Sequence, residues 1–489
     1  MHTNHCLNVK RKNIKDSTFY IIGFCITAFA AICFLRPDRK NVRMENASAA
    51  SSEDTWIDTL SNASSDYVPL QPMEREIEHF MAKWDIKGMS LAMSRNDSLL
   101  YAKGFGWADM EMGKTMEANS IMRIASASKL VTASAIMKLV EQRRLTLHSL
   151  VFGEQGILNS QDFTDAIHDP RVREITVEDL LKHQGGFTLG AGDPMFNTVE
   201  LKKAKQLTEA PSNQDLVKIV LGRRLGFHPG KGRRYSNFGY MLLSLVIEKV
   251  SGQGYWDFVS NNILEPAGAY GFMPATNYYD ERNLREVKYY SPDAELVEDF
   301  NTPSKMVDRC YGGANINALM GAGGWCASAA SLCRLVASID GNPGVPDVLT
   351  SSSVNLMTAH EDDEKVCLGW TESDVNGKWS RSGTLSSAHA LIERFPDGEC
   401  WVITMNTGVW TGFRFTRDMS RLIERLRCRY SNQMPSRNLW CPMRRLPSQW
   451  QKPPIQLPLH RISAIPELRT PPPPLRFFRL KLLCRHPAP

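Results

Sequence analysis

Ile124-Ala125-Ser126-Ala127-Ser128-Lys129-Leu130-Val131 opens a run that stays mostly apolar from Thr132 to Val140. A helix that is apolar on nearly every side belongs inside a fold. The spacing therefore predicts a buried helix from Ser126 onward. Ser126 and Lys129 are three residues apart and share one face of that helix, so their side chains can meet. A lysine in the first turn of a buried helix loses hydration and faces the positive end of the helix dipole, and both effects disfavour its charged form. A neutral amine beside a serine hydroxyl is a general base beside a nucleophile, as acyl transfer requires. The pattern alone is weak, since about two Ser-x-x-Lys pairs are expected by chance in a chain of this length. An N-terminal capping serine with a snorkelling lysine is the plainer alternative.

Two further stretches can supply partners. Tyr235-Ser236-Asn237 precedes a second strong helix pattern, Tyr240 to Val250, and follows the turn-forming His228-Pro229-Gly230-Lys231-Gly232. A tyrosine hydroxyl near two cations can shuttle a proton to a leaving group, and an asparagine amide can orient a substrate carbonyl. The alternative is Asn237 as a helix cap behind a packing tyrosine. Trp379-Ser380-Arg381-Ser382-Gly383-Thr384 precedes two late strand patterns, Ala388 to Phe395 and Cys400 to Asn406. Its glycine permits close approach, and its edge can give one N–H to an oxyanion hole whose second donor is the N–H of Ser126. Lys182-His183-Gln184-Gly185-Gly186 and Gly321-Ala322-Gly323-Gly324 lack phosphate-loop or metal-site spacing, and His183 reads as structural.

These stretches lie in a body with ordinary globular composition, 43% hydrophobic and 22% charged over 489 residues, which excludes wholesale disorder. The net charge of +6 is concentrated at the ends. Residues 1–43 carry eight Lys/Arg against two acids, and residues 431–489 carry ten against Glu467 alone, leaving the middle at −9. A nucleic-acid partner is therefore not expected, because the basic footprint is absent from the folded body. Phe19 to Leu35 is a 17-residue stretch without a charge, preceded by Lys10, Arg11, Lys12 and Lys15. It predicts an uncleaved membrane anchor or signal at 19–35 within the basic segment 1–43, with the body exported. Residues 44–72 read as a polar linker. A helix from Met73, a hairpin of Met89–Met93 with Leu99–Gly106, helices and late strands predict an α+β body over 73–428: an antiparallel sheet flanked by helices, with a mostly helical subdomain. Residues 429–489 form a basic, proline-rich tail. The last 59 residues hold 13 of the 27 prolines, and the tail is expected to lack regular structure or to bind a partner. The eleven cysteines contain no CxxC pair, so most read as core residues, with a Cys326–Cys333 bridge as one option.

The order Ser126-x-x-Lys129, Tyr235-x-Asn237, then Arg381-Ser382-Gly383 before the last strands resembles the serine β-lactamase and penicillin-binding-protein superfamily, in its class C β-lactamase, D-alanyl-D-alanine carboxypeptidase and esterase branch. The phrases IMRIASASKLVTASAIMKLVE, ITVEDLLKHQGGF, RYSNFGYMLLSLVIEKVSG and GAGGWCASAASLCRLV extend the likeness over residues 73–428. The resemblance implies the β-lactamase/transpeptidase-like fold, Ser126 as acylated nucleophile, Lys129 as its base and Tyr235 as the proton shuttle. It also implies Asn237, Arg381, Ser382, Gly383 and Thr384 as substrate-binding residues, with the N–H groups of Ser126 and Thr384 as oxyanion donors. No cofactor and no metal are implied. Arg381 stands where lysine or histidine is usual; an arginine can grip a substrate carboxylate through two hydrogen bonds. The expected substrates are a β-lactam, a D-alanyl peptide or a small ester, with peptides and esters ranked first. A non-hydrolytic scaffold and a membrane adaptor acting through the proline-rich tail are the readings from other classes.

Overall fold

A computed structural model of the chain describes residues 55–440, apart from 188–191, 293–294, 303 and 360–366. Its centre is a seven-stranded antiparallel sheet. The strands are β1 (Gly88–Arg95), β2 (Ser98–Asp109), β3 (Lys114–Thr115), β4 (Glu372–Ser373), β5 (Trp379–Leu385), β6 (Ala388–Arg394) and β7 (Glu399–Met405). Their order across the sheet is β3-β2-β1-β7-β6-β5-β4. The first and last parts of the chain are thus zipped together, with Leu91 opposite Ile403 and Ala92 opposite Val402. The expected hairpin and the two late strands are all present.

Side chains alternate between the two faces of the strands, and the alternation here is also one of size. Met89, Leu91, Met93, Tyr101, Trp401, Ile403 and Met405 fill one face beneath two helices, α1 (Gln71–Trp84) and α5 (Thr416–Tyr430). Smaller residues, Ala92, Ala102, Ala390 and Cys400, line the other. That face packs against α2 (Ser128–Glu141) and α4 (Ala329–Ala337), beside α3 (Asn237–Ser251) and the shorter helices of a largely helical subdomain. α2 is buried from Ser128 to Met137. It can carry hydroxyls there because each is paired: Ser134 donates to Leu130 O (2.9 Å), and Thr132 to Gly321 O (2.6 Å).

The sequence boundaries need correction at both ends of the body. Residues 55–72 are folded chain rather than a linker. Trp56, Ile57, Leu60 and Leu70 are buried, and Trp56 Nε1 donates to Gly268 O at 2.9 Å. The polar residues between them pair with β2: Ser65 bonds both backbone groups of Ala102 (2.7 and 2.9 Å), and Asn62 Oδ1 accepts from Gly104 N–H at 2.7 Å. A few anchors spaced among hydroxyls and amides give no periodic pattern, so the segment reads as linker. Likewise, residues 429–440 of the expected tail belong to the body. Tyr430 donates to Glu76 at 2.6 Å, Leu439 N–H bonds Leu99 O at 2.9 Å, and the Trp440 ring meets Trp56 edge-on at 6.5 Å. The remaining tail, 441–489, and the apolar stretch 19–35 lie outside the described residues. Among the described residues no helix is long and apolar enough to cross a membrane.

The Cys326–Cys333 bridge is not formed. Cys326 lies against the Tyr289 hydroxyl (3.6 Å), whereas Cys333 faces Cys400 O on β7 (3.9 Å). Both are free and buried, as the core-residue reading expects.

Because Trp56 joins both ends of the described chain to the helical layer, Trp56→Ala in the full chain is expected to lower stability by about 3 kcal/mol. Urea unfolding measures this; no change would mean that residues 55–72 behave as a linker after all.

Candidate active site

The position of Ser126 is set by backbone geometry. Ala125 has φ +49°, a left-handed conformation that a non-glycine residue adopts at a cost of about 1–3 kcal/mol. The turn is held by Ile124 N–H to Trp325 O (2.9 Å) and Ala127 N–H to Ile124 O (3.0 Å). It delivers Ser126 to a 3-10 turn, Ala125–Ala127, that runs directly into α2. Nothing in an alanine announces this conformation, so the sequence shows a helix start but not the sharp turn in front of it.

Lys129 is fully buried beneath Ser126. Its Nζ lies 3.2 Å from Ser126 Oγ and 2.7 Å from Asn237 Oδ1, with Ala322 O as a third partner. Burial, opposed by the Tyr235 phenol and aided by the charge of Arg381, lowers its pKa to about 8. The Tyr235 hydroxyl lies 2.6 Å from Ser126 Oγ. Its pKa is pulled down to about 8: burial would raise it, but the positive charges of Lys129 and Arg381 prevail. Tyr235 is 44% exposed as a residue and forms a wall of the cavity, while its hydroxyl meets Ser126.

The neighbours of this triad fix its geometry. Asn237 gives its oxygen to Lys129 and donates from Nδ2 to Asp193 (2.7 Å), so its flip state is determined by two partners. The cap of α3 is Ser236, accepting from Gly239 N–H (3.0 Å), which leaves Asn237 to the cavity and removes the alternative in which Asn237 caps the helix. His183 is structural as expected, yet it touches the machinery. Its ring lies 4.4 Å from the Tyr235 ring and 5.1 Å from Tyr240, and its Nδ1 accepts from Ser236 N–H at 3.2 Å. Burial and the charges of Lys129 and Arg381 hold it well below its ordinary pKa, hence neutral. The Gly321–Gly324 run serves through its carbonyls, Ala322 O to Lys129 and Gly321 O to Thr132. Asp193, Ala322 and Thr371 were missed at the sequence level, because one acts through a backbone oxygen and the others are isolated polar residues in loops.

β5 supplies the opposite wall. Arg381 is only 3% exposed, and its Nε (2.8 Å) and Nη2 (2.5 Å) both donate to Ser126 O. The two-pronged grip expected for a substrate carboxylate is therefore already committed to the nucleophile's own backbone. Gly383 packs directly on the turn: a Cβ there would lie 2.2 Å from Ile124 O and 2.8 Å from Ser126 N. Thr371 N–H bonds Ser380 O (2.9 Å) and Ser382 N–H bonds Thr371 Oγ1 (3.3 Å), so these residues turn their backbone groups to the edge away from β6. Thr384 N–H, two residues on, faces that same edge by strand geometry. The Ser126 N–H lies in a first helical turn, where no intrahelical acceptor exists. These two N–H groups are the ones the resemblance expects to hold an oxyanion.

Ser126, Tyr235, Asn237, Arg381, Ser382 and Thr384 all border one cavity of about 560 Å³, and the sequence had placed each of them in the site. A larger groove of about 720 Å³ lies behind the sheet between α1 and α5, lined by basic residues and without a nucleophile. Among the described residues no His/Cys/Asp/Glu group is arranged to hold a metal ion.

Residues 73–423 match the family described as Beta-lactamase. The chain belongs to this family. Within it, penicillin-binding protein 4* of Bacillus subtilis is 33% identical over 203 residues, covering 41% of this chain and 40% of that protein. The chain thus matches well under half of that relative's length. Among solved structures, the octameric penicillin-binding protein homologue of Pyrococcus abyssi aligns with a TM-score of 0.54 at 20% identity, over 76% of this chain and 79% of that one. The D-alanine carboxypeptidase AmpC of Burkholderia cenocepacia aligns at 0.54 and 16% identity, over 72% and 97%. These likenesses show the β-lactamase/transpeptidase fold.

Since Gly383 is required by contact, Gly383→Ala is expected to push the Ser126 turn off β5 and to destabilise the chain by about 1–3 kcal/mol in urea unfolding. A variant as stable as the parent chain would contradict the close approach.

Proposed function

We propose that this chain is a serine hydrolase that forms and hydrolyses an acyl-enzyme on Ser126. The observation that carries the reading is Ser126 Oγ held between Tyr235 Oη at 2.6 Å and Lys129 Nζ at 3.2 Å. When Lys129 is neutral, Asn237 and Ala322 O take its two N–H bonds and leave the lone pair for the serine proton. Serine attacks the carbonyl, and the developing oxyanion is held by the N–H groups of Ser126 and Thr384. Tyr235, recharged with that proton through Lys129, hands it to the leaving group. The same pair then takes a proton from water to release the acyl group. A silent scaffold has no need of a buried lysine with a lowered pKa, and the intact constellation argues against that alternative.

The substrate reading is an ester or amide, ahead of β-lactams and carboxylate-ended peptides. Arg381 is the one charged residue among the described residues that line the cavity, and its guanidinium is engaged with Ser126 O. A substrate carboxylate next to the scissile bond therefore meets hydroxyls, those of Thr371, Ser382 and Thr416, rather than a free cation. The names of its relatives, a penicillin-binding protein and a D-alanine carboxypeptidase, keep D-amino-acyl substrates in view. Residues 19–35 and their basic flank support an exported enzyme tethered at a membrane, with the proline-rich tail available to a partner.

Incubation of the full chain with a chromogenic short-chain ester, followed by intact mass and peptide mapping, is expected to show an acyl adduct on Ser126. Ser126→Ala should lose the adduct and at least about 10³-fold of the rate. No adduct and no turnover would overturn the reading. The rate should also rise between pH 7 and 9 with a midpoint near 8, as the Lys129–Tyr235 pair loses a proton. A midpoint near that of an ordinary lysine would remove Lys129 from the role of base. Between a D-alanyl peptide and its C-terminal amide, the amide should be the better substrate by kcat/KM; the reverse would show a carboxylate site.

A further inference from the structure

Past Thr384 and Leu385 the catalytic cavity continues into a second one of about 530 Å³, with Phe196, Thr384 and Leu385 as shared walls. The direction of this extension relative to the chemistry follows from the proton donor. A leaving group must face Tyr235 to receive its proton, and Tyr235, Ser126 and Asn237 border the first cavity and not the second. With the scissile carbonyl oxygen between the N–H groups of Ser126 and Thr384, the substituent that runs beyond Thr384 is on the acyl side.

The walls of the second cavity define what it accepts. Phe196, Leu385, Val409 and Trp410 supply apolar wall, beside the polar Ser291, Glu295, Arg309, Ser386 and His389. Trp410 is 79% exposed and Phe196 40%, so two aromatic rings stand uncovered at the rim. Several polar groups of the lining are already paired, although His389 Nε2 is buried without a hydrogen-bond partner. Arg309 grips Glu295 through Nε (2.8 Å) and Nη2, and Ser291 Oγ lies 3.1 Å from Asp308 and 3.0 Å from Ser387. His389 in the floor is buried and held neutral, its Nδ1 3.3 Å from Thr384 Oγ1. A cavity of this volume, with aromatic rings at its rim and its Arg309 and Glu295 charges matched to each other, suits a neutral, bulky group.

We propose that this second cavity is the acyl-side specificity pocket and selects substrates whose acyl group carries an aromatic or branched apolar substituent, with Trp410 and Phe196 as its specificity residues. This rests on the serine hydrolase reading, and the test separates the two. The full chain is assayed with p-nitrophenyl acetate, butyrate and 4-phenylbutyrate, which share one leaving group. The kcat/KM ratio of phenylbutyrate to acetate is expected to be about ten or more, and to shrink at least about threefold in Trp410→Ala and in Phe196→Ala. Taking the ratio within each variant cancels any loss of folded protein. A wild-type ratio near one, or a ratio untouched by both substitutions, overturns the pocket while Ser126-dependent acetate turnover leaves the hydrolase standing. If neither ester is hydrolysed and Ser126 takes no adduct, the hydrolase reading falls. The pocket is then judged by titrating 4-phenylbutyramide into the Ser126→Ala chain. Saturable binding weakened by Trp410→Ala upholds it, and no saturable binding at millimolar concentration overturns it.

Discussion

The burial of one lysine organises this molecule. Lys129 sits at the start of a helix without solvent contact and is met by Ser126, Asn237 and the carbonyl of Ala322, contributed by three separate stretches of chain. Each of those stretches has to be placed by tertiary structure, so the site exists only when the sheet, α2, α3 and the Gly321–Gly324 loop are all assembled. The arrangement opposes stability. With its pKa lowered to about 8, Lys129 costs about 3 kcal/mol at neutral pH relative to strongly alkaline solution. The sign follows from the depressed value: the cost is fully present below pH 8 and is relieved as pH rises toward the ordinary lysine value. The core around α2 offsets that cost, and the strained turn at Ala125 adds to it. Both liabilities fall on the residues that the chemistry uses.

Arg381 shows how a substitution within a motif redistributes work. A lysine or histidine at this position presents a single polar tip, whereas the guanidinium fork reaches Ser126 O with two donors at once. The positive charge stays close enough to depress Tyr235 and Lys129, but its direction is into the protein. Nucleophile positioning and substrate-carboxylate binding are thereby separated. Selectivity is then proposed to come from elsewhere along the cleft, in the extension beyond Thr384.

Much of this was legible in the sequence, for identifiable reasons. Ser126, Lys129, Tyr235 and Asn237 lie beside strong local signals, a helix with no polar face and a Pro-Gly turn before a second helix. The late strands were visible because they alternate. What was hidden depends on backbone or on distant pairing. Ala125 gives no hint of its positive φ, Ala322 acts through its carbonyl, and Asp193 is a lone acid in a loop. The segment 55–72 looked like linker because four anchors among polar residues form no period, and 429–440 looked like tail because it adjoins one. Arg381 is legible as a cation beside the late strands, but sequence does not show where its fork points, and here it reaches Ser126 O.

The central claim is that Lys129 is a base of lowered pKa inside the fold. The direct measurement is an NMR titration of the full chain carrying ¹⁵N-labelled lysine side chains, with Lys129→Met to assign the signal. The account predicts one resonance titrating near pH 8, and moving lower in Tyr235→Phe because the phenol that supports the ammonium is gone. A Lys129 resonance that titrates with the surface lysines, near 10.5, would contradict it.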